Sequence, residues 1–590
     1  MKVLVIHPED ELQDGPWVCQ GWDRVIDLGR TGAESYVQAA AKLGCPITAF
    51  DTLRDNLKEM RKVRALLALG LGRLSDRFEL DWWELTSILV HQQVEIVILL
   101  RTLLKTLGPH DEIHVSRPCF HAEVLRLGIG ARLHTFSWQG NHKQSGVRRY
   151  FRVVKKFPVR QLIEIFWDKA DPGYQFRGSI GGRRKTSPDP VVLLPSAYIN
   201  VSRTAVAYAE ILPEARFLLV VTRRSGWIPA PPPNVSLTWL RRYASVRNPS
   251  RELERRDLVE RWNLLRSELE SVPEFRMLME LGSFDDFPER FGLGLEIRDA
   301  WHKVLELEPV EAVICADDSN PYTHIPLLLA VKKGLPTISC HHGALDGRYI
   351  FKRNHSDVLL AKGKMEEDYL VRVCEIPSEK VEIGAPILPT DLKHEPNQEE
   401  RPFIVLFSEA YEVAGGRARG FYQDMLPPLA DLAISEGKEL IIKLHPAESL
   451  SERRRIAKQI LRPEQQRITR LVDGPLEPEM LNKAWFGVTI LSTIAVDCAL
   501  RGIPCFLCAW LESWPYRYVD QFVRFGVGIR LNEPGEITQI PVILESYKAS
   551  AEVQNNCWSP IKAQRLRVLL GLEGGRGVVS KDSGRIAKRP

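Results

Sequence analysis

Two segments of this chain read Glu439-Leu-Ile-Ile-Lys-Leu-His-Pro446 and Phe486-Gly-Val-Thr-Ile-Leu-Ser-Thr493. Each is a short apolar run that ends in polar residues, which is typical of a buried parallel strand followed by a loop. The first run ends with Lys443 and His445, and the second brings Ser492-Thr493 to the start of a helix. Unpaired N–H groups and the positive end of a helix dipole favour an anion at such a start. The two segments therefore predict a phosphate site made of a cation, an imidazole and two hydroxyl groups.

The alternation of strand and helix extends along most of the chain. Several predicted helices end in glycine and then proline before the next apolar run, as in Lys42-Leu-Gly-Cys-Pro-Ile47, Lys333-Gly-Leu-Pro-Thr-Ile338 and Arg501-Gly-Ile-Pro-Cys-Phe506. Glycine closes a helix in the left-handed conformation, and proline prevents its continuation. Strands are predicted at residues 2–6, 24–28, 112–115, 191–194, 216–221, 312–315, 403–407, 440–444 and 487–491. This pattern predicts α/β domains with doubly wound parallel sheets, whose ligands bind at the carboxyl ends of the strands.

A chain of 590 residues exceeds the usual size of one hydrophobic core, so we expect more than one domain. The polar, proline-bounded stretch Lys393-His-Glu-Pro-Asn-Gln-Glu-Glu-Arg-Pro402 marks the boundary. We predict a Rossmann-like N-terminal domain over residues 1–392, with helical insertions at about 52–107 and 225–300. A second Rossmann-like domain over 393–560 would bind the nucleotide donor, and the basic tail 561–590 is predicted to be disordered.

Charge and hydropathy exclude several classes of protein. The net charge of +5 is small for this length, and residues 576–590 alone hold five basic residues against one acid. A near-neutral body does not indicate a nucleic-acid partner, which needs a dense basic face. We find no uninterrupted apolar run near the ~18–20 residues that span a bilayer, and the first ten residues turn acidic too early for a signal peptide. We expect a cytoplasmic protein, with peripheral association at the inner face of the membrane left open by the basic tail.

Four further segments follow one another in a specific order, and all lie ahead of the predicted boundary. They are Asp317-Asp-Ser-Asn-Pro321, Leu327-Leu-Leu-Ala-Val-Lys-Lys-Gly-Leu-Pro-Thr-Ile-Ser-Cys-His-His-Gly343, Ser356-Asp-Val-Leu-Leu-Ala-Lys-Gly363 and Lys380-Val-Glu-Ile-Gly-Ala-Pro386. This order resembles GT-B-type glycosyltransferases of bacterial surface polysaccharides, in particular capsule polysaccharide transferases and CDP-glycerol glycerophosphotransferases. The resemblance covers about residues 310–510, whereas residues 1–300 match only as a generic Rossmann-like half.

The resemblance implies a fold of two Rossmann-like domains that face a cleft, and roles for individual residues. The donor diphosphate would be held by Lys443, His445, Ser492 and Thr493. Asp497 would contact the ribose hydroxyls where such enzymes often place the longer glutamate. His342 matches a histidine that is a candidate base for the acceptor hydroxyl, and an imidazole pKa near ~6.5 suits that task at neutral pH.

Alternative interpretations stand beside these roles. Asp317 and Asp318 either cap the next helix or serve as the base in place of His342. Because adjacent strand residues face opposite ways, at least one of His341 and His342 is expected to be structural. We favour His342 as the functional one, because the following Gly343 permits close approach of a ligand.

The donor-side residues have plainer interpretations too. His445 before a proline would simply close a turn, and Ser492-Thr493 would be ordinary N-cap residues. The loop Asp27-Leu-Gly-Arg-Thr-Gly32 is either part of a binding site or a connection between strand and helix. The aromatic run Trp510-Leu-Glu-Ser-Trp-Pro-Tyr-Arg-Tyr518 could wall a cleft, but packing between domains is the interpretation we favour.

The sequence thus predicts a transferase that moves a glycosyl or polyol-phosphate group from a nucleotide-activated donor to a surface polysaccharide or lipid-linked acceptor. We expect no bound metal and no cofactor besides the nucleotide-sugar substrate, because protein cations and helix dipoles can neutralise the leaving group. The ten cysteines show no paired spacing except Cys505-Phe-Leu-Cys508, which lies inside an apolar run, so we expect buried thiols rather than a redox or zinc site. A nucleotide-sugar epimerase of the UDP-N-acetylglucosamine 2-epimerase type and a non-catalytic carbohydrate-assembly protein are the alternatives. The sequence does not indicate an oligomeric state.

Overall fold

The predicted strands form three separate parallel sheets in a computed structural model of the chain. The structure describes residues 1–12, 15–50, 56–108, 110–129, 133–135, 176, 189–244, 249–387, 401–414, 416–512, 516–548 and 550–572. Most of the polar stretch predicted as the domain boundary, and the tail from residue 573, lie outside these residues.

The first sheet belongs to the N-terminal 135 residues and has the strand order β3-β2-β1-β4-β5. Its central strand is buried on both faces, which explains why Val3, Leu4, Val5 and Ile6 form an unbroken apolar run. The strands are β1 (Lys2–Ile6), β2 (Arg24–Asp27), β3 (Ile47–Ala49), β4 (Glu112–Val115) and β5 (Leu133–Thr135).

The second sheet has seven strands in the order β12-β11-β10-β9-β6-β7-β8. These are β6 (Val191–Ser196), β7 (Phe217–Val221), β8 (Val235–Trp239), β9 (Val310–Cys315), β10 (Thr337–Cys340), β11 (Val358–Ala361) and β12 (Val381–Ile383). The third sheet has six strands in the order β15-β14-β13-β16-β17-β18. These are β13 (Phe403–Phe407), β14 (Glu439–Lys443), β15 (Thr469–Val472), β16 (Ala484–Thr489), β17 (Cys505–Cys508) and β18 (Ile529–Leu531).

Helices connect the strands and cover the sheets. In the first half of the chain they are α1 (Ala33–Leu43), α2 (Asn56–Ala68), α3 (Trp82–Ser87), α4 (His91–Leu104), α5 (Phe120–Ile129), α6 (Ile199–Ala209), α7 (Pro249–Leu269), α8 (Pro273–Glu280), α9 (Phe287–Leu307) and α10 (Pro321–Lys332). In the second half they are α11 (Lys364–Asp368), α12 (Ala418–Ser435), α13 (Leu450–Ile460), α14 (Pro463–Arg467), α15 (Pro478–Asn482), α16 (Ile494–Leu500), α17 (Tyr518–Arg524), α18 (Ile540–Ser546), α19 (Ala551–Cys557) and α20 (Ala563–Leu569).

Each sheet reverses its winding direction between two neighbouring strands, and ligands of such sheets bind in the crevice at that point. The reversal falls between β1 and β4, between β6 and β9, and between β13 and β16. The predicted fold class, α/β with doubly wound parallel sheets, is confirmed. Three crevices exist where the sequence predicted two.

The interval predicted as one N-terminal domain, residues 1–392, contains two of the three sheets. A single apolar cluster joins them, since it includes Val5 of β1, Leu193 of β6 and Trp83 of α3. Local sequence patterns show where strands occur but not which strands share hydrogen bonds, so they do not reveal that this interval contains two sheets. The interval 52–107 contains α2, α3 and α4, whereas 225–300 also contains strand β8.

The chain returns to the second sheet near its end. Ala385 forms a parallel bridge with Pro560, and Leu566 and Leu570 of the α20 region are buried against that sheet. The predicted tail therefore begins too early, because the apolar residues just beyond 560 complete a core. Residues 561–572 belong to the fold.

One described stretch, Trp82–Leu104, is apolar and long enough to cross a membrane by composition alone, and 44% of its most apolar window is buried in the protein. Its buried residues include Val94, Val97 and Leu100, which pack in the cluster shared by the first two sheets. This packing is typical of a core helix in a folded domain.

A buried ion pair attaches the N-terminal sheet to the third sheet's domain. Arg417 precedes α12, and its Nη1 and Nη2 donate to the two carboxylate oxygens of Asp27 at 2.6 and 2.7 Å. Arg417 also donates to the backbone oxygens of Asp10 and His7. The Asp27–Gly32 loop, for which a binding role was left open, therefore docks a neighbouring domain.

Gly363 packs closely against the backbone of α19, and this contact can be tested by substitution. A methyl group on its Cα would lie 2.3 Å from the backbone oxygen of Asn556 in α19, and a backbone oxygen cannot rotate away. We expect Gly363→Ala to lower the free energy of unfolding by about 1–3 kcal/mol, measured by urea denaturation. Gly535→Ala is the control, since its added methyl would meet no atom closer than 3.8 Å. Equal stability of both variants would contradict this packing.

Candidate active site

The candidate site lies where loops at the carboxyl ends of the second and third sheets meet. Gly343 follows β10, and a methyl group on its Cα would lie 3.8 Å from Thr493 Cγ2 at the start of α16. Nearby, the Gly347 N–H donates to Tyr518 Oη at 2.8 Å, and the Tyr516 ring packs on Gly347 without room for a side chain. Tyr516 and Tyr518, the two tyrosines of the aromatic run, thus pack between the two lobes, which agrees with the interpretation favoured from the sequence; residues 513–515 of the run lie outside the described residues.

On the second sheet's side, a tyrosine links the predicted aspartate and histidine. Tyr198 follows β6 and Asp317 follows β9, so both lie at the crevice where the winding reverses. The Tyr198 hydroxyl donates to Asp317 Oδ2 and lies 3.2 Å from His342 Nδ1. Asp317 Oδ1 accepts from the Ser319 N–H at 2.8 Å, which fixes the carboxylate. His342 and Asp317 are therefore brought together, through a residue that the sequence analysis missed.

These contacts assign the tautomer of His342. Since the Tyr198 hydroxyl gives its proton to Asp317, it can only accept from His342, so Nδ1 carries the ring proton. Nε2 then keeps its lone pair. Burial lowers the pKa of His342, although the charge of Asp317 acts in the opposite direction, so the ring is neutral near pH 7. A neutral imidazole with an available Nε2 is suited to accept a proton.

Asp317, Tyr198 and His342 form a hydrogen-bonded relay, and Asp317 is its ionised end. Burial alone would raise its pKa, but neighbouring cations, Lys352 foremost, bring the pKa down to about 2. The same carboxylate and the buried position of the ring raise the pKa of Tyr198, so the phenol stays protonated. The relay therefore holds one negative charge, on Asp317, at neutral pH.

Asp318 has a different environment from Asp317. Its Oδ1 accepts from Lys352 Nζ at 2.8 Å, while Oδ2 is buried without a hydrogen-bond partner. Lys352 Nζ also donates to Ser319 Oγ at 2.8 Å and lies 3.5 Å from Asp346 Oδ2. Asp318 is thus paired with a cation, and both Asp318 and Lys352 line a further cavity.

His341 has the structural role that strand alternation predicts for one of the two histidines. It is 6% exposed, and its Nδ1 accepts from the Gly343 N–H at 3.1 Å. Burial lowers its pKa to about 3. The ring shapes the turn after β10 and leaves His342 at the cleft.

On the third sheet's side, a glutamate binds the loop that was predicted to hold phosphate. Glu409 follows β13, and its Oε1 accepts from Thr489 Oγ1 at 2.9 Å and from the Ile490 and Leu491 N–H groups at 3.2 and 2.8 Å. Burial raises the pKa of Glu409, while these donors act against that rise. The Ile490 and Leu491 N–H groups, which lie just before α16, are therefore already hydrogen-bonded to a carboxylate.

Lys443 and His445 do not converge on Ser492 in this structure. Because β13 lies between β14 and β16, the ends of these two strands are about 10 Å apart. Lys443 Nζ donates to the backbone oxygens of Leu444 and Gly474, on the β15 side of the sheet and away from β16. His445 is exposed, and its Nδ1 accepts from the Ala447 N–H at 3.1 Å, which closes the turn before α13.

The remaining predicted residues lie on or before α16. Ser492 is half-buried and its Oγ accepts weakly from the Ile494 N–H at 3.4 Å, whereas Thr493 is exposed toward Gly343. Asp497 lies one turn into α16 and is half-buried. Its contact with a ribose stays a prediction.

Sequence analysis overlooked three residues that define this site, and each had a usable signal. Tyr198 and Glu409 are polar residues that follow predicted strands at 191–194 and 403–407, the same rule that singled out Lys443 and Ser492. Arg348 lies in the loop after the His-Gly turn, where Asp346 Oδ1 accepts from its Nε at 2.9 Å. Its cationic side chain is 37% exposed.

Comparison with known proteins yields distant structural likeness only. No protein-family model matches the sequence, and no curated protein does. UDP-GlcNAc 2-epimerase from Methanocaldococcus jannaschii is 12% identical with a TM-score of 0.42, over 65% of this chain and 99% of that chain. S. aureus MnaA in a structure with UDP is 13% identical with a TM-score of 0.39, over 65% and 96%. The wall teichoic acid polymerase TagF is 11% identical with a TM-score of 0.36, over 74% and 98%.

The arrangement of the two larger sheets gives the fold its class. Both have the doubly wound order, their carboxyl ends face each other across Gly343 and Thr493, and the chain returns to the first of them at Pro560. The second and third sheets form a GT-B-like pair. The N-terminal sheet is an additional domain beside it. A shared fold does not carry a substrate or a reaction from one protein to another, so the site itself has to support them.

Proposed function

We propose that the protein is a transferase that moves a glycosyl or polyol-phosphate group from a nucleotide-activated donor to a hydroxyl of a surface polysaccharide or lipid-linked acceptor. One observation carries the proposal: the Asp317–Tyr198–His342 relay ends in an available Nε2 where the two lobes meet. A base presented at an interlobe cleft is suited to activate an acceptor hydroxyl against a donor held by the other lobe.

In the proposed step, His342 Nε2 takes the proton from the acceptor hydroxyl. The acceptor oxygen forms a bond to the reacting carbon or phosphorus of the donor, and the bond from that atom to the nucleotide phosphate breaks. The leaving phosphate keeps the electron pair of that bond. The proton on His342 is stabilised by Asp317 through the Tyr198 hydroxyl, so the charge of the relay remains balanced.

The leaving phosphate needs positive charge and hydrogen-bond donors. We assign these to the Ser492 and Thr493 hydroxyls and to Arg348, which contributes to the electrostatics of both Tyr198 and His342. Lys443 is left out of this step, because two backbone carbonyls hold its ammonium group. Closure of the lobes would exclude water and limit hydrolysis of the donor.

Donor binding is the first test. We expect at least one member of a panel of UDP-, GDP-, CMP- and CDP-linked donors to raise the melting temperature, since a ligand at 100 times its Kd adds about 2.7 kcal/mol of stability. The double variant Ser492→Ala with Thr493→Val is expected to reduce that shift. Ser546→Ala, at an exposed serine of the same domain, serves as the matched control. No shift with any donor, or full binding by the double variant, would overturn the proposed site.

Product analysis separates transfer from isomerisation. With the donor alone, the proposed transferase should produce no epimer and little free nucleotide. Conversion of the donor to an isomeric nucleotide sugar without any acceptor would make the protein an epimerase, and the transfer step would be discarded.

A further inference from the structure

A cavity of about 360 Å³ lies behind Asp318, away from the cleft, between the helical insertion of the N-terminal domain and the second sheet's domain. Its apolar wall includes Leu67 of α2, Ile88 after α3 and Phe351. Its polar wall includes Glu84 of α3 and His324 of α10. The proposed transfer reaction gives none of these residues a role.

Three potential metal ligands cluster at this place: Glu84 and His324 line the cavity, and His355 lies next to them. Glu84, His324 and His355 each offer one ligand atom, and these atoms all lie within 4.8 Å of one another. His355 Nε2 lies 2.7 Å from Glu84 Oε1. Asp81 accepts from the Trp83 and Glu84 N–H groups and so fixes the start of α3, which positions the Glu84 carboxylate.

Two atoms of this cluster are buried and lack hydrogen-bond partners. Glu84 is 8% exposed and His324 is 5% exposed, yet Glu84 Oε2 and His324 Nε2 make no hydrogen bond. A buried polar atom left in this way loses its hydrogen bonds to water without replacing them, which destabilises the folded protein. A bound cation removes that cost because each atom can give it a lone pair.

The two nearby cationic side chains, Arg353 and Lys352, do not neutralise the Glu84 carboxylate at close range. Arg353 Nη1 lies 3.9 Å from Glu84 Oε2, but this side chain is 55% exposed and its charge is screened by solvent. Lys352 is bound by Asp318 and Ser319. Asp318 lines the same cavity, and its carboxylate has one oxygen, Oδ2, without a hydrogen-bond partner.

We propose that Glu84, His324 and His355 bind a divalent transition-metal ion, with Zn²⁺ the best fit. Two imidazoles and one carboxylate are a common zinc donor set, and zinc with three protein ligands takes water or a small anion as the fourth. That fourth position opens to the cavity. Because Glu84 belongs to the N-terminal insertion and both histidines to the second sheet's domain, the ion would also join the two domains.

Two rival clusters in the described residues lack this combination of features. In the cluster of Glu112, His114 and His134, both Glu112 and His134 are exposed. The other cluster, His7 with Cys119 and His121, is only half-buried. Neither lines the cavity.

Metal content of the full chain tests the proposal. We expect one Zn²⁺ per chain to remain after incubation and desalting, a higher melting temperature with Zn²⁺, and tetrahedral ligand-field bands when Co²⁺ replaces it. His324→Gln and His355→Gln should each weaken Zn²⁺ binding by more than about 100-fold, since loss of mere outer-shell support already costs 10–100-fold. His121→Gln and His134→Gln, one from each rival cluster, are the controls and should keep the metal.

The outcomes distinguish the proposal from its rivals and from misfolding. Wild-type protein that retains no Zn²⁺, or His355→Gln that retains as much as the wild type, overturns the site. Loss of metal in His121→Gln or His134→Gln alone assigns it to a rival cluster and overturns the site as well. Should His324→Gln not fold, His355→Gln decides, because the His355 side chain is 25% exposed and tolerates replacement better. Metal binding does not depend on the transferase assignment, so either can fail without the other.

Discussion

Replacing His342 with alanine is expected to lower the turnover number by about 10²–10⁴-fold, the usual contribution of a positioned general base. Affinity for the donor should change little, because His342 is held by Tyr198 of the second sheet's domain, whereas the hydroxyls assigned to the donor phosphate belong to the third sheet's domain. The measurement is steady-state kinetics with the donor that thermal shift identifies, together with donor binding by calorimetry. Turnover by His342→Ala at the wild-type rate would remove His342 from the reaction.

The pH dependence of this activity follows from the direction of the His342 pKa. Burial lowers the pKa below the ordinary value of 6.5, and the base must be neutral to act. The value of kcat/KM should therefore rise with pH through a point below ~6.5 and stay level around neutral pH. Titration of ¹⁵N-labelled histidines by NMR gives the same pKa and the predicted Nδ1–H tautomer independently of activity.

Two further variants separate positioning from structure. Tyr198→Phe removes the oxygen that accepts from His342 Nδ1, so we expect a smaller loss of turnover and a mixture of the two tautomers. His302→Ala, at a half-buried histidine of α9 that pairs with Glu306, is the control and should retain activity. A Tyr198→Phe protein with wild-type turnover and tautomer would show that the relay does not orient the base.

Local sequence patterns were sufficient to predict the strands. Apolar runs such as 403–407 and 440–444 are buried on both sides by helices, so their composition alone marks them as central parallel strands. The alternation of strand residues also predicted that one of the two adjacent histidines is structural, and His341 is the more buried of the pair. These features depend on residues a few positions apart.

Features that depend on contacts between distant residues could not be predicted in the same way. Lys443 is a cation at a strand end, but the carbonyls of Leu444 and Gly474 satisfy it locally. Glu409 occupies the N–H groups before α16, although it lies more than 80 residues away in the chain. A strand end indicates that a site exists there, whereas the competition among nearby donors and acceptors decides which side chains are free for a ligand.

The second large effect is expected from Arg417→Ala, which should lower the free energy of unfolding by about 3–5 kcal/mol. Arg417 is 5% exposed and Asp27 is fully buried, so removal of the guanidinium would leave a carboxylate without its counter-ion. The backbone oxygens of Asp10 and His7 would lose donors as well. Urea denaturation followed by tryptophan fluorescence measures the loss. Hydrogen exchange at β1 and β2 should show that it concerns the docked N-terminal sheet.

A surface pair and a double variant make this result specific to the buried interaction. Arg567→Ala breaks the exposed ion pair with Glu214 and should cost about 0–1 kcal/mol. Combining Arg417→Ala with Asp27→Ala should cost less than the sum of the two single changes, because the double variant leaves no unpaired buried charge. Strict additivity, or an Arg417→Ala protein as stable as Arg567→Ala, would mean that the N-terminal sheet is held mainly by the apolar cluster it shares with the second sheet. Asp27 lies at the carboxyl end of β2, the edge of an α/β sheet where ligands usually bind. The coupling energy between Arg417 and Asp27 therefore also measures how strongly the third sheet's domain is docked at this edge of the N-terminal sheet.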